Sequence, residues 1–369
     1  MIWEKIKLAI SSPAGVFEKY YLESLIKNKN IQLVGIPKGR NPERAVRISE
    51  QYGIPLYASL EEILEKSKPN LLFVCSNYLE NHEKQALEAL QQGVSVIVEK
   101  ETINGEEKTK ELINLANKNN LLLASTTGYA LNREPIIALH KLLQKDKATH
   151  IKLLVEYPAE STNSLTAKAL IPDCADSYKG FQTEDGTVFG IMPYMNELSR
   201  LMFSADLLGH KIKSLEYDQT NTYITGADLD IEFSENKIAE VITRSKYNGR
   251  RHSEIVVYTE TGKVYKMIAP FNSTVREEYQ AKKLSNAIVS EIEVYDSQKD
   301  FAENKRQNTF TFPAEIFPHA RLWNDISSIF IEGKFEITTT SLLYKPTTEN
   351  FLKEVQAMEL FRQIIKSQI

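Results

Sequence analysis

The sequence predicts a two-domain α/β protein, in which a domain with a parallel sheet precedes an α+β domain with a large, open, mostly antiparallel sheet. The chain has 369 residues, which is more than one hydrophobic core usually organises. Short apolar strands alternate with helices in the first third, whereas the later strands are longer and alternate polar with apolar residues. We place the boundary near Gly128, so the expected domains are residues 1–128 and 129–369.

The first domain repeats the order strand, turn, helix along its length. Its predicted strands are residues 6–10, 31–36, 56–57, 71–75, 94–98 and 121–125. Helices are predicted through Leu25, from Pro42 with Asn41 as its N-cap, and over 60–66, 80–92 and 105–119. Because every crossover has to return across the sheet, this order favours parallel strands with helices on both faces. Ligands of such sheets bind at the carboxyl ends of the strands, so the residues after each strand are the candidates for a site.

The second domain is predicted to be an antiparallel sheet with a few helices. Its strands are expected at 150–156, 212–217, 222–233, 237–243, 253–259 and 263–268, with turns at 247–249 and 260–262. Helices are expected at 195–203, 277–291 and 348–367. The segment 317–323, which contains Trp323, either borders a site or belongs to a core.

Composition and charge exclude several classes of protein. The net charge is −4 and basic residues are scattered among acidic ones, so the basic surface of a nucleic-acid-binding protein is not expected. There is no run of about 18 apolar residues for a membrane span, and we expect no secretion signal. Cys75 and Cys174 lack neighbours with metal-ligand spacing. These features favour a cytoplasmic protein without nucleic-acid or membrane partners and without a metal.

Several segments carry a resemblance to a known family. Residues 41–45 and 52–57 resemble the second crossover of the glucose-fructose oxidoreductase/inositol dehydrogenase (Gfo/Idh/MocA) oxidoreductase family, and residues 91–100 resemble the lead-in to its Glu-Lys-Pro signature. Order and spacing agree over residues 5–128, and residues 186–194 extend the resemblance into the second domain. The resemblance implies a Rossmann domain that binds NAD(P), with a substrate, often a sugar, cyclitol or related carbonyl or alcohol, between the domains.

The resemblance places the cofactor at the ends of several strands. The phosphate turn corresponds to residues 11–16, where only one glycine remains of the Gly-x-Gly-x-x-Gly fingerprint. The candidates in and beside this turn are Ser11, Ser12, Ala14, Gly15 and Val16. The alternative is a structural turn that no longer binds a dinucleotide. Lys38 and Arg40 follow the second strand, where an acidic residue would select NAD, so NADP is favoured unless both are solvated loop charges. The other cofactor-binding candidates are Asn77, Tyr78 and Glu99.

Lys100 is the first catalytic candidate, since an ammonium at the ligand edge of the sheet can bond a substrate oxygen and stabilise charge during hydride transfer. Glu101 stands where the family has proline, which removes a backbone constraint. Tyr194 is the second candidate by resemblance, as acid/base partner of Lys100, while Gly190 stands where the family has aspartate. The alternatives are a surface lysine and an interface tyrosine. The substrate-binding candidates, after the last strand, are Tyr129, Asn132 and Arg133.

Two functions follow from these residues. The first is an NAD(P)-dependent oxidoreductase that transfers hydride to or from a carbonyl, alcohol or imine carbon of a small-molecule substrate such as a sugar or cyclitol derivative. The second is a catalytically inactive relative that acts as a ligand-sensing or scaffold protein, which the altered glycine turn and Gly190 favour. We favour the enzyme. His82, which stands where the family has histidine, is interpreted as structural. An open sheet would leave an apolar face exposed, so a homodimer or higher homo-oligomer is also expected.

Overall fold

The computed structural model of the protein describes residues 5–13, 17–76, 79–100, 105–158, 186–217, 224–246, 252–268, 290–312, 318–332 and 343–368. By packing, the chain divides into two units: unit 1 contains Met1–Tyr129 and His319–Gln356, and unit 2 contains Ala130–Pro318 and Ala357–Ile369. Each unit is therefore discontinuous in sequence. The predicted domains, 1–128 and 129–369, are each continuous, so they do not include the packing of His319–Gln356 with the first part of the chain. The boundary near Gly128 stays a prediction.

Unit 1 is built on a parallel sheet of short strands. The strands are β1 (Ile6–Ile10), β2 (Ile31–Pro37), β3 (Leu56–Tyr57), β4 (Leu71–Val74), β5 (Ser95–Val98) and β6 (Leu123–Ser125). They form a six-stranded sheet in the order β3-β2-β1-β4-β5-β6, and every neighbouring pair is parallel. The parallel pairing, predicted from the alternation of strands and helices, is confirmed.

The crossovers of unit 1 are helical, as predicted. They are α1 (Leu22–Lys27), α2 (Pro42–Tyr52), α3 (Leu60–Ser67), α4 (Leu79–Gln91) and α5 (Glu106–Lys118). A turn of π-helix at Phe17–Tyr21 precedes α1, where an ordinary helix was expected. The Asn41 side chain accepts a hydrogen bond from the Arg44 amide at 2.9 Å, so the predicted N-cap of α2 is confirmed.

The parallel sheet has an apolar core on each face. Successive strand residues point to opposite faces, so Leu8 packs in one core and Ala9 in the other. Two late helices complete these cores: α10 (Pro318–Glu332) contributes the fully buried Trp323 to the first, and α11 (Thr348–Gln368) contributes Phe351 to the second. These contacts explain why the segment His319–Gln356 belongs to unit 1. Trp323 is a core residue, while Phe317 lies outside the described residues.

Unit 2 is built on a larger sheet of longer strands. These are β7 (Ala148–Pro158), β8 (Leu207–Tyr217), β9 (Ile224–Phe233), β10 (Lys237–Lys246), β11 (His252–Thr259), β12 (Val264–Ile268), β13 (Ser290–Tyr295) and β14 (Asn308–Phe312). The eight-stranded sheet has the order β14-β13-β12-β11-β7-β10-β9-β8. Among the described strands of this eight-stranded sheet, only β7 and β10 pair in parallel. The predicted large, mostly antiparallel sheet is confirmed.

Several helices pack against the sheet of unit 2. They include α7 (Glu134–Leu143), which contacts β12 and β13, and α8 (Gly186–Phe203), which contacts β7, β9 and β10. Two shorter helices are α6 (Gly128–Leu131), at the junction of the units, and α9 (Gln298–Ala302). The helix predicted at 277–291 is wrong at its end, because Ser290 and Glu291 belong to β13, where backbone pairing with the neighbouring strands β12 and β14 holds them extended. Residues 277–289 lie outside the described residues.

The two faces of the eight-stranded sheet differ in polarity. Ile151 and Leu153 of β7 are buried, whereas the alternate residues His150 and Lys152 contact Glu240 of β10 at 3.0 and 3.6 Å. Further ion pairs on neighbouring strands are Lys213–Asp230 and Lys266–Glu254. On the described strands, these ion pairs share the face with the exposed Ile238 and Ile242 of β10, so the expectation of an apolar exposed face stays a prediction. The homodimer inferred from that expectation stays a prediction.

Candidate functional site

Lys100 follows β5 at the carboxyl end of the parallel sheet, as predicted. The strand ends at Val98, and the ladder continues for one more step because the Thr126 amide donates to the Val98 carbonyl at 3.0 Å. The Lys100 amide then donates to the Thr126 hydroxyl at 3.2 Å. The side chain of Thr126 thus replaces the next backbone acceptor, and it ties the backbone of Lys100 to the end of β6.

Glu99 is buried beside Lys100, with 8% of its surface exposed. Its carboxylate accepts hydrogen bonds on the same oxygen from the Thr126 hydroxyl, at 2.9 Å, and from the Tyr21 hydroxyl. Burial raises the pKa of the Glu99 carboxyl, while the Lys100 charge and the two hydroxyl donors oppose this rise. Glu99 was predicted to bind the cofactor. That role stays a prediction, and the structure shows its carboxylate bonded within the protein.

The turn after β1 is tied to the strand beside it. The Ser11 hydroxyl accepts from the Cys75 amide at 3.1 Å, and the Cys75 thiol donates to the Ser12 carbonyl at 3.2 Å. Burial raises the pKa of the Cys75 thiol far above its usual range, so this cysteine is a neutral packing residue. The remaining cofactor candidates of this turn, Ala14, Gly15 and Val16, lie outside the described residues.

The loop after β2 lies against the turn after β1. Gly39 has a left-handed backbone with φ of +59°, and a Cβ at this position would meet Pro13 at 3.3 Å. Glycine is therefore required twice, by the conformation and by the close approach of the two loops. Lys38 and Arg40 flank this glycine and are both exposed. The structure thus brings two cations to the edge of the turn that the family uses for the dinucleotide.

His82 behaves as the structural residue that was predicted. It is fully buried on α4, and its Nε2 lies 2.8 Å from the Ser76 carbonyl, just after β4. This contact ties the helix to the strand end. The neighbouring cofactor candidates Asn77 and Tyr78 lie outside the described residues.

Tyr194 is buried on α8 of unit 2, with 5% of its surface exposed. Six residues further along the helix, the Arg200 guanidinium donates twice to the buried carboxylate of Glu197, at 2.6 and 2.9 Å. This bond fixes the direction of the arginine on the same helix. The acid/base role of Tyr194 stays a prediction.

The three substrate candidates sit where the chain passes from unit 1 to unit 2. Tyr129 belongs to the short helix α6, and its side chain lies outside the described part of the structure. Asn132 and Arg133 are both 3% exposed, and Arg133 precedes α7, where its carbonyl accepts from the Ile137 amide at 2.9 Å. Their substrate-binding role stays a prediction.

Sequence reasoning missed Thr126 and Tyr21. Thr126 directly follows β6, so the rule that residues after parallel strands form the site could have identified it. Tyr21 gave no such signal, because it lies in a helical segment and reaches a carboxylate 78 residues away in sequence. Within the described residues, no group of three or more His, Cys, Asp and Glu side chains could hold a metal ion. No helix in the described part of the chain is long and apolar enough to cross a membrane.

Several solved structures share the fold of this chain over almost its whole length. The 3-ketoreductase KijD10 from Actinomadura kijaniata, solved with NADP and TDP-benzene, shares 14% identity over 97% of each chain, with a TM-score of 0.73. GenD2 from gentamicin A biosynthesis, solved with NAD, shares 14% identity over 98% of this chain and 95% of its own, with a TM-score of 0.70. The dehydrogenase MviM from Clostridium difficile shares 18% identity over 98% and 99%, with a TM-score of 0.63. These likenesses concern the fold.

At the level of sequence, similarity to known proteins is found in the first domain. Comparison with curated protein sequences gives no significant match. Residues 14–127 match the family described as "Oxidoreductase family, NAD-binding Rossmann fold". The matched segment holds the parallel sheet from β2 onwards and the Glu99–Lys100–Thr126 contacts. The resemblance is confirmed over this segment, which matches the Gfo/Idh/MocA oxidoreductase family through its NAD-binding Rossmann fold.

Proposed function

We propose that the protein uses NADP to transfer hydride to or from a carbonyl, alcohol or imine carbon of a small substrate, and that Lys100 is its principal catalytic residue. The observation that carries this proposal is the position of Lys100. It follows β5 at the ligand edge of an NAD-binding sheet, and its backbone is tied to Thr126. Residues at this edge of a parallel sheet reach ligands bound across the strand ends.

The chain itself supplies binding, orientation and a proton. Bound nicotinamide supplies or accepts the hydride. In the direction of reduction, the substrate carbonyl oxygen gains negative charge, and an ammonium at Lys100 Nζ can bond that oxygen and donate the proton that completes the alcohol. Tyr194 is proposed as the second acid/base group. In the opposite direction, the neutral amine of Lys100 accepts the one proton of the alcohol hydroxyl while the hydride leaves the carbon.

The choice of NADP rests on Lys38 and Arg40. A 2′-phosphate is a dianion near neutral pH, and lysine and arginine are its usual partners in proteins. The close approach of Gly39 to Pro13 keeps this loop beside the phosphate turn, which is the geometry that a dinucleotide requires. An acidic residue, which would bond the 2′-hydroxyl of NAD, is missing between Lys38 and Arg40.

The substrate class is proposed from the structural neighbours. KijD10 is a 3-ketoreductase solved with a TDP compound, and GenD2 belongs to gentamicin A biosynthesis. A keto group on a sugar or cyclitol ring is therefore the first class to test. Cyclic imines form the second class, because hydride addition to an imine carbon needs the same proton donor.

The experiment is a titration of the purified protein with NADPH and NADH, followed by nicotinamide fluorescence. We expect micromolar binding of NADPH and weaker binding of NADH. Oxidation of NADPH is then measured with a panel of keto sugars, cyclitol ketones and cyclic imines. If neither nucleotide binds at millimolar concentration, the oxidoreductase proposal fails, and a ligand-sensing or scaffold role takes its place.

A further inference from the structure

The contacts around Lys100 form a closed loop of hydrogen bonds. The Lys100 amide donates to the Thr126 hydroxyl, and the Thr126 hydroxyl contacts the carboxylate of Glu99, the residue immediately before Lys100. The loop therefore begins and ends on adjacent residues of the chain. It restricts the backbone torsions between Glu99 and Lys100, which determine the direction in which the lysine side chain leaves the sheet.

The direction of each hydrogen bond in this loop follows from the donors present. A backbone amide can only donate, so the Thr126 oxygen accepts from Lys100. A hydroxyl has one hydrogen, so that of Thr126 points to the carboxylate of Glu99. The Tyr21 hydroxyl donates to the same oxygen. The acceptor oxygen of Glu99 thus orients the Thr126 hydroxyl so that a lone pair of its oxygen faces the Lys100 amide.

The loop is held in a closely packed environment. Thr126 is 0% exposed and Tyr21 is 1% exposed. The ring of Tyr21 packs edge-on against Phe73, with centroids 4.8 Å apart, and against Trp323 at 6.2 Å. These aromatic contacts leave little freedom to the Tyr21 hydroxyl. The Glu99 carboxylate is therefore held by two fixed donors, the hydroxyls of Tyr21 and Thr126.

We propose that Thr126, together with Glu99 and Tyr21, is a positioning residue for Lys100. This inference rests on the proposed catalytic role of Lys100. Residue 101 is glutamate, so no proline ring restricts the backbone at Lys100. The hydrogen-bonded loop supplies that restriction from the neighbouring strand. A small error in the position of the ammonium would reduce proton transfer without affecting the cofactor.

The first test measures the Lys100 amide itself, by hydrogen–deuterium exchange of peptides that end at residue 100. Thr126→Val removes the hydroxyl and keeps the shape, whereas Thr126→Ser keeps the hydroxyl. Thr127→Val is the matched control, because Thr127 is equally buried and its hydroxyl has no hydrogen-bond partner among the described residues. We expect the Lys100 amide to exchange about tenfold faster in Thr126→Val only. Unchanged exchange in that variant would overturn the proposal.

The second test measures turnover and NADPH affinity in the same variants, on a substrate found with the panel above. Thr126→Val should lower kcat by about tenfold to a hundredfold with unchanged NADPH affinity, and Thr126→Ser should restore kcat. Faster exchange with unchanged kcat would overturn the positioning role. If the wild type neither binds NADPH nor turns over any substrate, the proposed function fails, while the exchange experiment still decides whether Thr126 holds the Lys100 amide.

Discussion

In the six-stranded sheet of unit 1, the polar side chains beside Lys100 are buried and bonded to one another, whereas in the eight-stranded sheet of unit 2 the charged side chains lie on one face and pair in solvent. Glu99 is 8% exposed and accepts two hydroxyl donors. Lys152 keeps half of its side-chain surface exposed beside Glu240. A buried carboxylate that loses its donors is costly, whereas an exposed ion pair contributes little. Sensitivity to mutation should therefore differ sharply between the two sheets.

The largest effect is expected at the edge of the parallel sheet. Lys100→Ala removes the proposed proton donor, so turnover should fall by about a hundredfold to ten-thousandfold with NADPH affinity unchanged. Steady-state kinetics and the fluorescence titration measure the two quantities. Lys110→Ala, on α5 of the same unit and exposed, is the control and should retain wild-type turnover. Wild-type turnover in Lys100→Ala would contradict the proposed catalytic role of Lys100.

The second effect is expected at His210, which is buried in unit 2 as Glu99 is buried in unit 1. The Nε2 of His210 on β8 donates to the Asn196 side-chain oxygen at 2.8 Å, because an amide oxygen only accepts. The Nδ1 of His210 has no partner among the described residues. Burial lowers the pKa of His210 from 6.5 to about 3.

The pH dependence of stability follows from that pKa. The unfolded chain takes up a proton below about pH 6.5, while folded His210 stays neutral, so stability is complete above this pH and falls as the pH drops towards about 3. The slope is about 1.4 kcal/mol per pH unit. Urea unfolding followed by far-UV circular dichroism at about pH 7 and about pH 5 should show this loss in the wild type and a smaller loss in His210→Gln.

The control for this prediction is His252→Gln, since His252 on β11 keeps 42% of its side-chain surface exposed. Its acid sensitivity should equal that of the wild type. If His210→Gln and the wild type lose the same stability between the two pH values, His210 is not buried as neutral imidazole, and the interior of unit 2 is more hydrated than the described contacts indicate.

A third effect concerns the loop after β2. Simultaneous Lys38→Ala and Arg40→Ala substitutions remove both cations beside the phosphate turn, so NADPH affinity should fall by about tenfold to a hundredfold while NADH affinity is retained. Fluorescence titrations with both nucleotides measure the preference. Lys29→Ala, at the opposite end of β2 and exposed, is the matched control. An equal loss for NADH and NADPH would show that the loop does not recognise a 2′-phosphate.

The smallest effect is expected on the charged face of unit 2. Glu240→Gln breaks contacts to His150 and Lys152 at 3.0 and 3.6 Å, and it should change the free energy of unfolding by less than about 1 kcal/mol. Urea denaturation at low and high salt measures this change. A larger loss that depends on protein concentration would contradict an open face, and it would support the predicted homodimer with a second copy covering these strands.

Local patterns in the sequence predicted most of the strands and helices of the described residues. Apolar runs placed β1, β2, β4 and β5, and the Asn41-Pro42 pair placed the start of α2. The rule that parallel sheets bind ligands at their carboxyl ends pointed to Glu99 and Lys100. These predictions succeed because they depend on neighbours along the chain, on periodicity and on capping.

Contacts between distant residues had to come from the tertiary structure. The carboxylate of Glu99 meets Tyr21 across 78 residues and Thr126 across 27, and Trp323 returns to complete a core formed by the first domain. No local pattern encodes such partners, since each depends on which helix packs over which strand. The sequence by itself determined the fold of the parallel sheet, its family resemblance and the place of Lys100. Only the tertiary structure decided how that lysine is held, because the groups that hold it follow three different strands of the sheet: Tyr21 after β1, Glu99 after β5 and Thr126 after β6.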